Sequence, residues 1–91
     1  MGVSVRIRLF ANLREKVGKD KVTIEFEKCP TIKEVLEKVR ENFPEVGRVI
    51  FVEERFDGRY KVLSGNRLVG SECFGEPAGD SIAILPPVSG G

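Results

Sequence analysis

Thr31-Ile32-Lys33-Glu34-Val35-Leu36-Glu37-Lys38-Val39-Arg40-Glu41-Asn42-Phe43 is the stretch on which the fold turns. Ile32, Val35, Leu36, Val39 and Phe43 fall on one side of a helical wheel, so the segment predicts an amphipathic helix with one face to bury. Thr31, followed three places later by Glu34, has the spacing of a capping box, in which each side chain accepts a hydrogen bond from the other's backbone N–H. Pro44 cannot continue the helix, which therefore ends near Asn42 or Phe43.

On the N-terminal side of this helix the period is two. Val3, Val5, Ile7 and Leu9 alternate with Ser4, Arg6, Arg8 and Phe10, the pattern of a strand with one buried face. Val22, Ile24 and Phe26 repeat it and predict an antiparallel return. Ala11 to Asp20, between them, reads as a long hairpin connection with room for a helical turn. On the C-terminal side, Val49 to Phe56 and Tyr60 to Leu63 read as two arms of a hairpin about Asp57-Gly58. Ser64-Gly65-Asn66 then turns the chain into a short strand at Leu68 and Val69. Ser81 to Leu85 is a last strand, with Ile82 and Ile84 facing inward. One helix and several strands imply an α+β sheet with a helix on one face and the other face open to solvent or a partner.

The 91 residues suit one domain, residues 1–85, followed by a tail, 86–91. A composition of 41% hydrophobic and 32% charged residues is that of a folded chain. With 15 basic and 14 acidic residues the net charge is +1, which gives no electrostatic reason to expect nucleic acid as a partner. Arg6 and Arg8 read as a solvated sheet face, or as rim charges around a partner site. No apolar run approaches the roughly 20 residues needed to span a bilayer and no signal peptide is evident, so the expectation is a cytoplasmic protein without membrane association. Met1-Gly2 begins like a myristoylation signal, but Arg6 stands where that motif needs Ser or Thr.

Cys29 and Cys73, with no histidine in the chain, cannot make a Cys/His zinc site, and no metal is expected. They read as small, partly buried apolar residues. Lack of histidine also removes the usual general base, so Ser89 reads as a linker residue and the chain carries no evident catalytic machinery.

Pro86-Pro87-Val88-Ser89-Gly90-Gly91 is the segment that points to chemistry. The prolines end the last strand and favour a stiff, extended exit. Six residues reach at most about 20 Å at roughly 3.3–3.6 Å each, enough to enter another protein's active site. A Gly-Gly ending arises by chance in roughly 0.5% of chains if glycine is about 7% of residues, so alone it is a weak signal. Joined to the double proline and to a tail without charge, it describes a segment that can thread a narrow channel, because glycine has no Cβ to obstruct the approach to the terminal carbonyl. A carboxylate is ionised at neutral pH and a poor electrophile; Gly91 would need activation before a nucleophile could attack it.

Taken together, the Leu9-Phe10-Ala11-Asn12-Leu13-Arg14-Glu15 run, the helix opened by Thr31, Gly79-Asp80 before the last strand and the Pro-Pro-Val-Ser-Gly-Gly tail resemble the MoaD/ThiS-like sulfur carriers, relatives of ubiquitin with the β-grasp fold. The length and ending look more like the small subunit of molybdopterin synthase than like the shorter thiamin sulfur carrier. That resemblance implies that an E1-like enzyme adenylates Gly91 with ATP, that a sulfurtransferase or other donor converts it to a thiocarboxylate, and that a catalytic large subunit passes the sulfur to a pyranopterin precursor of molybdenum or tungsten cofactor. The chain itself would bind no cofactor. It also implies docking through an apolar patch on the open sheet face, for which strand parity selects Phe10, Leu85 and Leu68. Two other outcomes share the activation step: a protein modifier joined through Gly91 to lysines, and a sulfur carrier for transfer RNA thiolation. The hairpin between Arg48 and Ser64 looks longer than in compact relatives, which leaves partner identity open.

Overall fold

The computed structural model describes residues 2–87. Its elements are β1 (Val3–Leu9), α1 (Asn12–Val17), β2 (Lys21–Phe26), α2 (Ile32–Asn42), α3 (Pro44–Ile50), β3 (Phe51–Val52), β4 (Arg55–Phe56), β5 (Lys61–Ser64), β6 (Arg67–Val69) and β7 (Ser81–Leu85). Five strands form one mixed sheet in the order β2-β1-β7-β5-β6. β1 runs antiparallel to β2 and parallel to β7, while β5 is antiparallel to both β7 and β6. This is an α+β sheet, as the change of period at Thr31 predicts, and its fold is the ubiquitin-like β-grasp that the family resemblance implies.

Helix α2 forms for the reasons the sequence supplies. Thr31 Oγ1 accepts from the Glu34 N–H at 3.2 Å, and Glu34 Oε1 accepts from the Thr31 N–H at 2.8 Å. Ile32, Val35, Leu36 and Val39 are buried, in one cluster with Val5, Ile7 and Leu9 of β1 and with Ile82 and Ile84 of β7. A side chain on this stripe adds about 1.5–3 kcal/mol when fully buried, which is what holds the helix on the sheet.

Three expectations are corrected. Ala11–Asp20 is more than a hairpin connection: Asn12–Val17 is a helix that buries Leu13 and closes at Gly18 in the left-handed region, φ 84°. Pro44 stops α2 but also opens α3, because a proline at the first helical position gives up only an N–H that has no helical partner. Val49 to Ile50 is therefore helical, and among the described residues there are three α-helices rather than one. The hairpin turn lies at Glu53-Glu54, between the two-residue strands β3 and β4, and not at Asp57-Gly58. Asp57 instead donates its N–H to the Ile50 carbonyl at 2.7 Å and is nearly buried, its carboxylate bonded to Arg59.

The reason is packing. Val46, Gly47 and Ile50 are buried, so the segment after Pro44 gains more as a helix beside α2 than as an extended arm. The close approach needs Gly47, where a Cβ would lie 2.7 Å from Arg40 Cγ and 3.1 Å from Arg40 Cα. Phe51, Phe56 and Phe74 stack edge to face at centroid separations of 5.9 and 5.4 Å and fasten the small hairpin to the body.

Candidate functional site

Strand β7 positions the site. It lies at the middle of the sheet, with β1 on one side and β5 on the other, and Ile82 and Ile84 point into the core. Its C-terminal end is thus anchored from both flanks. Beyond Leu85 the chain leaves the sheet through Pro86, half-buried, and Pro87, exposed. Val88, Ser89, Gly90 and Gly91, which carry the rest of the candidate tail, lie outside the described residues.

Parallel pairing of β1 with β7 sets Leu9 beside Ile84, so Phe10 and Leu85 are the next residues along the two chains, at the end of the sheet where the tail departs. Both are half-buried. Phe10 lies under the Arg8 guanidinium, 5.4 Å from carbon to ring centroid, and precedes Ala11, whose φ of 52° turns the chain sharply into α1. A non-glycine residue at positive φ persists only where its surroundings fix it, here the hydrogen bonds from Leu13 N–H to the Phe10 carbonyl and from Glu15 N–H to the Ala11 carbonyl.

Leu68 is 60% exposed on β6, at the far side of the same face. Register joins it to the other two: Leu68 pairs with Leu63, Leu63 with Ala83, and Leu85 follows Ala83 two residues along β7. The apolar stripe on the open face therefore includes half-buried Leu63, with Ala83 of the same parity buried beneath it at 4% exposure, and the sequence reading selected neither. Their signal was present as period-two parity, since Leu63 alternates with buried Val62 and Ala83 with buried Ile82 and Ile84. It could be used only once the strands were known to be neighbours.

Cations surround this stripe. Arg6 and Arg8 project from β1, Lys21 from β2 and Lys61 from β5, all exposed, and Arg14 on α1 joins the groove beside Phe10. Cys29 is exposed rather than partly buried, whereas Cys73 is half-buried against the core, and both are free thiols. Among the described residues no group of three or more His, Cys, Asp or Glu side chains could hold a metal ion. No helix among them is long and apolar enough to cross a membrane.

A five-stranded mixed sheet grasping a central helix, with its middle strand running out into a proline-led tail, defines a ubiquitin-like β-grasp protein. Small archaeal modifier protein 1 from Methanosarcina acetivorans is similar over 100% of this chain and 99% of its own, at 30% identity and a TM-score of 0.81. The crystal structure of SAMP1 from Haloferax volcanii matches 97% of this chain and 99% of its own, at 28% identity and a TM-score of 0.84. A Pyrococcus furiosus protein provisionally described as molybdopterin converting factor subunit 1 matches at 22% identity and a TM-score of 0.73, covering 94% and 99% of the two chains, a likeness of fold alone. No protein-family profile and no curated protein matches the chain by sequence. The chain belongs to the MoaD/ThiS-like ubiquitin-fold family.

Proposed function

We propose that this protein is a carrier that works through the carboxyl group of Gly91. An E1-like enzyme brings ATP; the Gly91 carboxylate attacks the α-phosphate, pyrophosphate leaves, and the acyl-adenylate is now an electrophile. Sulfide from a donor then displaces AMP and leaves a thiocarboxylate, which a catalytic large subunit spends on a pyranopterin precursor of molybdenum or tungsten cofactor. The carrier holds no cofactor and supplies no acid or base, and it acts in the cytoplasm. Its physical contribution is presentation: Phe10, Leu63, Leu68 and Leu85 seat the partner, and Pro86 to Gly91 extend from that seat into the partner's site.

The observation that carries this reading is the exit of β7. A strand held on both flanks ends at Leu85, at the edge of the open face, so a partner that covers that face also receives whatever follows Pro86-Pro87. A second reading, a modifier joined through Gly91 to lysines, draws on the likeness to proteins named small archaeal modifier protein 1, the likeness with the higher sequence identity. It shares the adenylation step and differs in the nucleophile, an amine in place of sulfide.

Intact-mass spectrometry tests both at once. After incubation with ATP, a sulfide donor and the adenylating enzyme of the same organism, the carrier reading expects a species terminating at Gly91 in which one oxygen is replaced by sulfur. Lysine-linked adducts on other proteins, with no such species, would favour the modifier. An unchanged mass, or a mature chain that does not end at Gly91, rejects the proposal.

A further inference from the structure

The cations of the open face stand out because they are grouped around one apolar stripe with few carboxylates among them. Among the described residues the ion pairs are Lys38–Glu41, Arg40–Glu54, Asp57–Arg59 and Arg67–Glu76. None involves Arg6, Arg8, Arg14, Lys21 or Lys61, although all five are exposed. The groove beside Phe10 is lined by Arg6, Arg8, Arg14 and Lys21 against one carboxylate, Asp20. On the helix side of β2 the sign reverses: Glu27, Glu34, Glu37 and Glu41 face only Lys28 and Lys38, while Glu25 pairs across with Ser4 on the open face. A chain of net charge +1 thus carries an excess of cations on the open face, Arg6, Arg8, Lys21 and Lys61 against Glu25, around the strand that leads into the tail.

We propose that the enzyme that adenylates Gly91 presents an acidic surface around an apolar centre, and that the cations about Phe10 steer it onto the open sheet face. This rests on the carrier reading above and adds the chemistry of the partner. The apolar stripe of Leu63, Leu85 and Leu68 decides for a protein rather than an RNA, because a dry apolar centre inside a charged rim is the anatomy of a protein interface. An RNA surface instead wants exposed aromatic platforms for its bases, and Phe10, the one aromatic at this edge, is covered by Arg8. Rim charges of this kind act mainly on the rate of encounter, and salt weakens them as the Debye length shrinks to about 10 Å at 0.1 M.

The test is adenylation measured by ATP–pyrophosphate exchange, with the purified adenylating enzyme of the same organism and the full chain as substrate. Arg6→Glu/Arg8→Glu is compared with Lys28→Glu/Lys33→Glu, which changes the net charge equally at exposed residues outside the open sheet face. Both pairs are exposed, and thermal melts check that each variant is folded. At low salt the Arg6/Arg8 variant raises KM roughly tenfold or more with kcat unchanged at saturation, and the control variant leaves KM near wild type. Wild-type KM also climbs with salt, and the Arg6/Arg8 variant loses that dependence. Equal effects from the two variants, or a salt-independent wild-type KM, overturn the proposal while exchange itself upholds the activation of Gly91 on which the carrier reading rests. Binding of purified transfer RNA that the Arg6/Arg8 variant abolishes, with KM for exchange unchanged, assigns the face to RNA and likewise overturns it. Absence of exchange with wild-type chain removes the carrier reading and this inference together.

Discussion

Thr31 and Glu34 close two backbone donors against each other at the start of α2, and that reciprocity makes Thr31 a sensitive residue. Thr31→Ala removes one acceptor and loosens the other, so a loss of about 1 kcal/mol is expected, read as a lower urea midpoint at unchanged slope. Asp57 is a residue whose stabilising contact depends on pH. The hydrogen bond from the Arg59 guanidinium, then that from the Arg59 backbone N–H, holds its carboxyl below the usual carboxylate range. A carboxyl that releases its proton more readily when folded stabilises the fold in full above the unfolded value, about 3.9, and that contribution fades as pH falls through the lower folded value. The stability deficit of Asp57→Asn, measured by urea unfolding, should be present at pH 7 and shrink below about pH 4; a deficit constant across that range would show that the ion pair is not its source.

At the scale of elements, the contact of α2 with α3 is the feature that the linear pattern concealed. Arg40 is fixed there by two hydrogen bonds to Glu54, at 3.1 and 2.7 Å, and by its place 4.8 Å over the Phe51 ring. An added methyl group at Gly47 therefore meets a side chain that cannot easily yield. Gly47→Ala would by helix propensity alone stabilise by about 1 kcal/mol, but overpacking costs about 1–3 kcal/mol, so net destabilisation is expected in a chemical melt. Stabilisation instead would mean that Arg40 moves aside. The same contact explains a misreading of the sequence. Val49, Ile50, Phe51 and Val52 form a short apolar run of the kind that fits a strand or a buried helix equally well, and tertiary burial of Val46 and Ile50 decided for helix as far as Ile50.

For the whole molecule, one prediction separates stability from use. Leu68 is 60% exposed, so Leu68→Lys should leave the melting transition within about 0.5 kcal/mol of wild type. The same substitution places a charge within the apolar stripe and should raise KM in pyrophosphate exchange; an unaltered KM would take Leu68 out of the docking surface. Deleting Gly90 and Gly91 should likewise spare the fold, whose core is complete within the sheet and helices, and abolish exchange. Loss of folding on that deletion would contradict the division of labour between body and tail.

Residues Val3–Leu9, Lys21–Phe26, Thr31–Asn42 and Ser81–Leu85 were determined by the sequence itself, because each carries a period, two or 3.6, sustained long enough to have one reading. The candidate tail was legible for a different reason: proline and glycine restrict or free the backbone regardless of what surrounds them. Strand order, the α2–α3 contact and the apolar stripe with the cations around it were decided only in three dimensions. Arg6, Phe10, Leu63 and Leu68 are dispersed along the chain, and parity gives each a face without saying which strands share it; the parallel pairing of β1 with β7 and the antiparallel pairing of β5 with β6 and β7 bring them together.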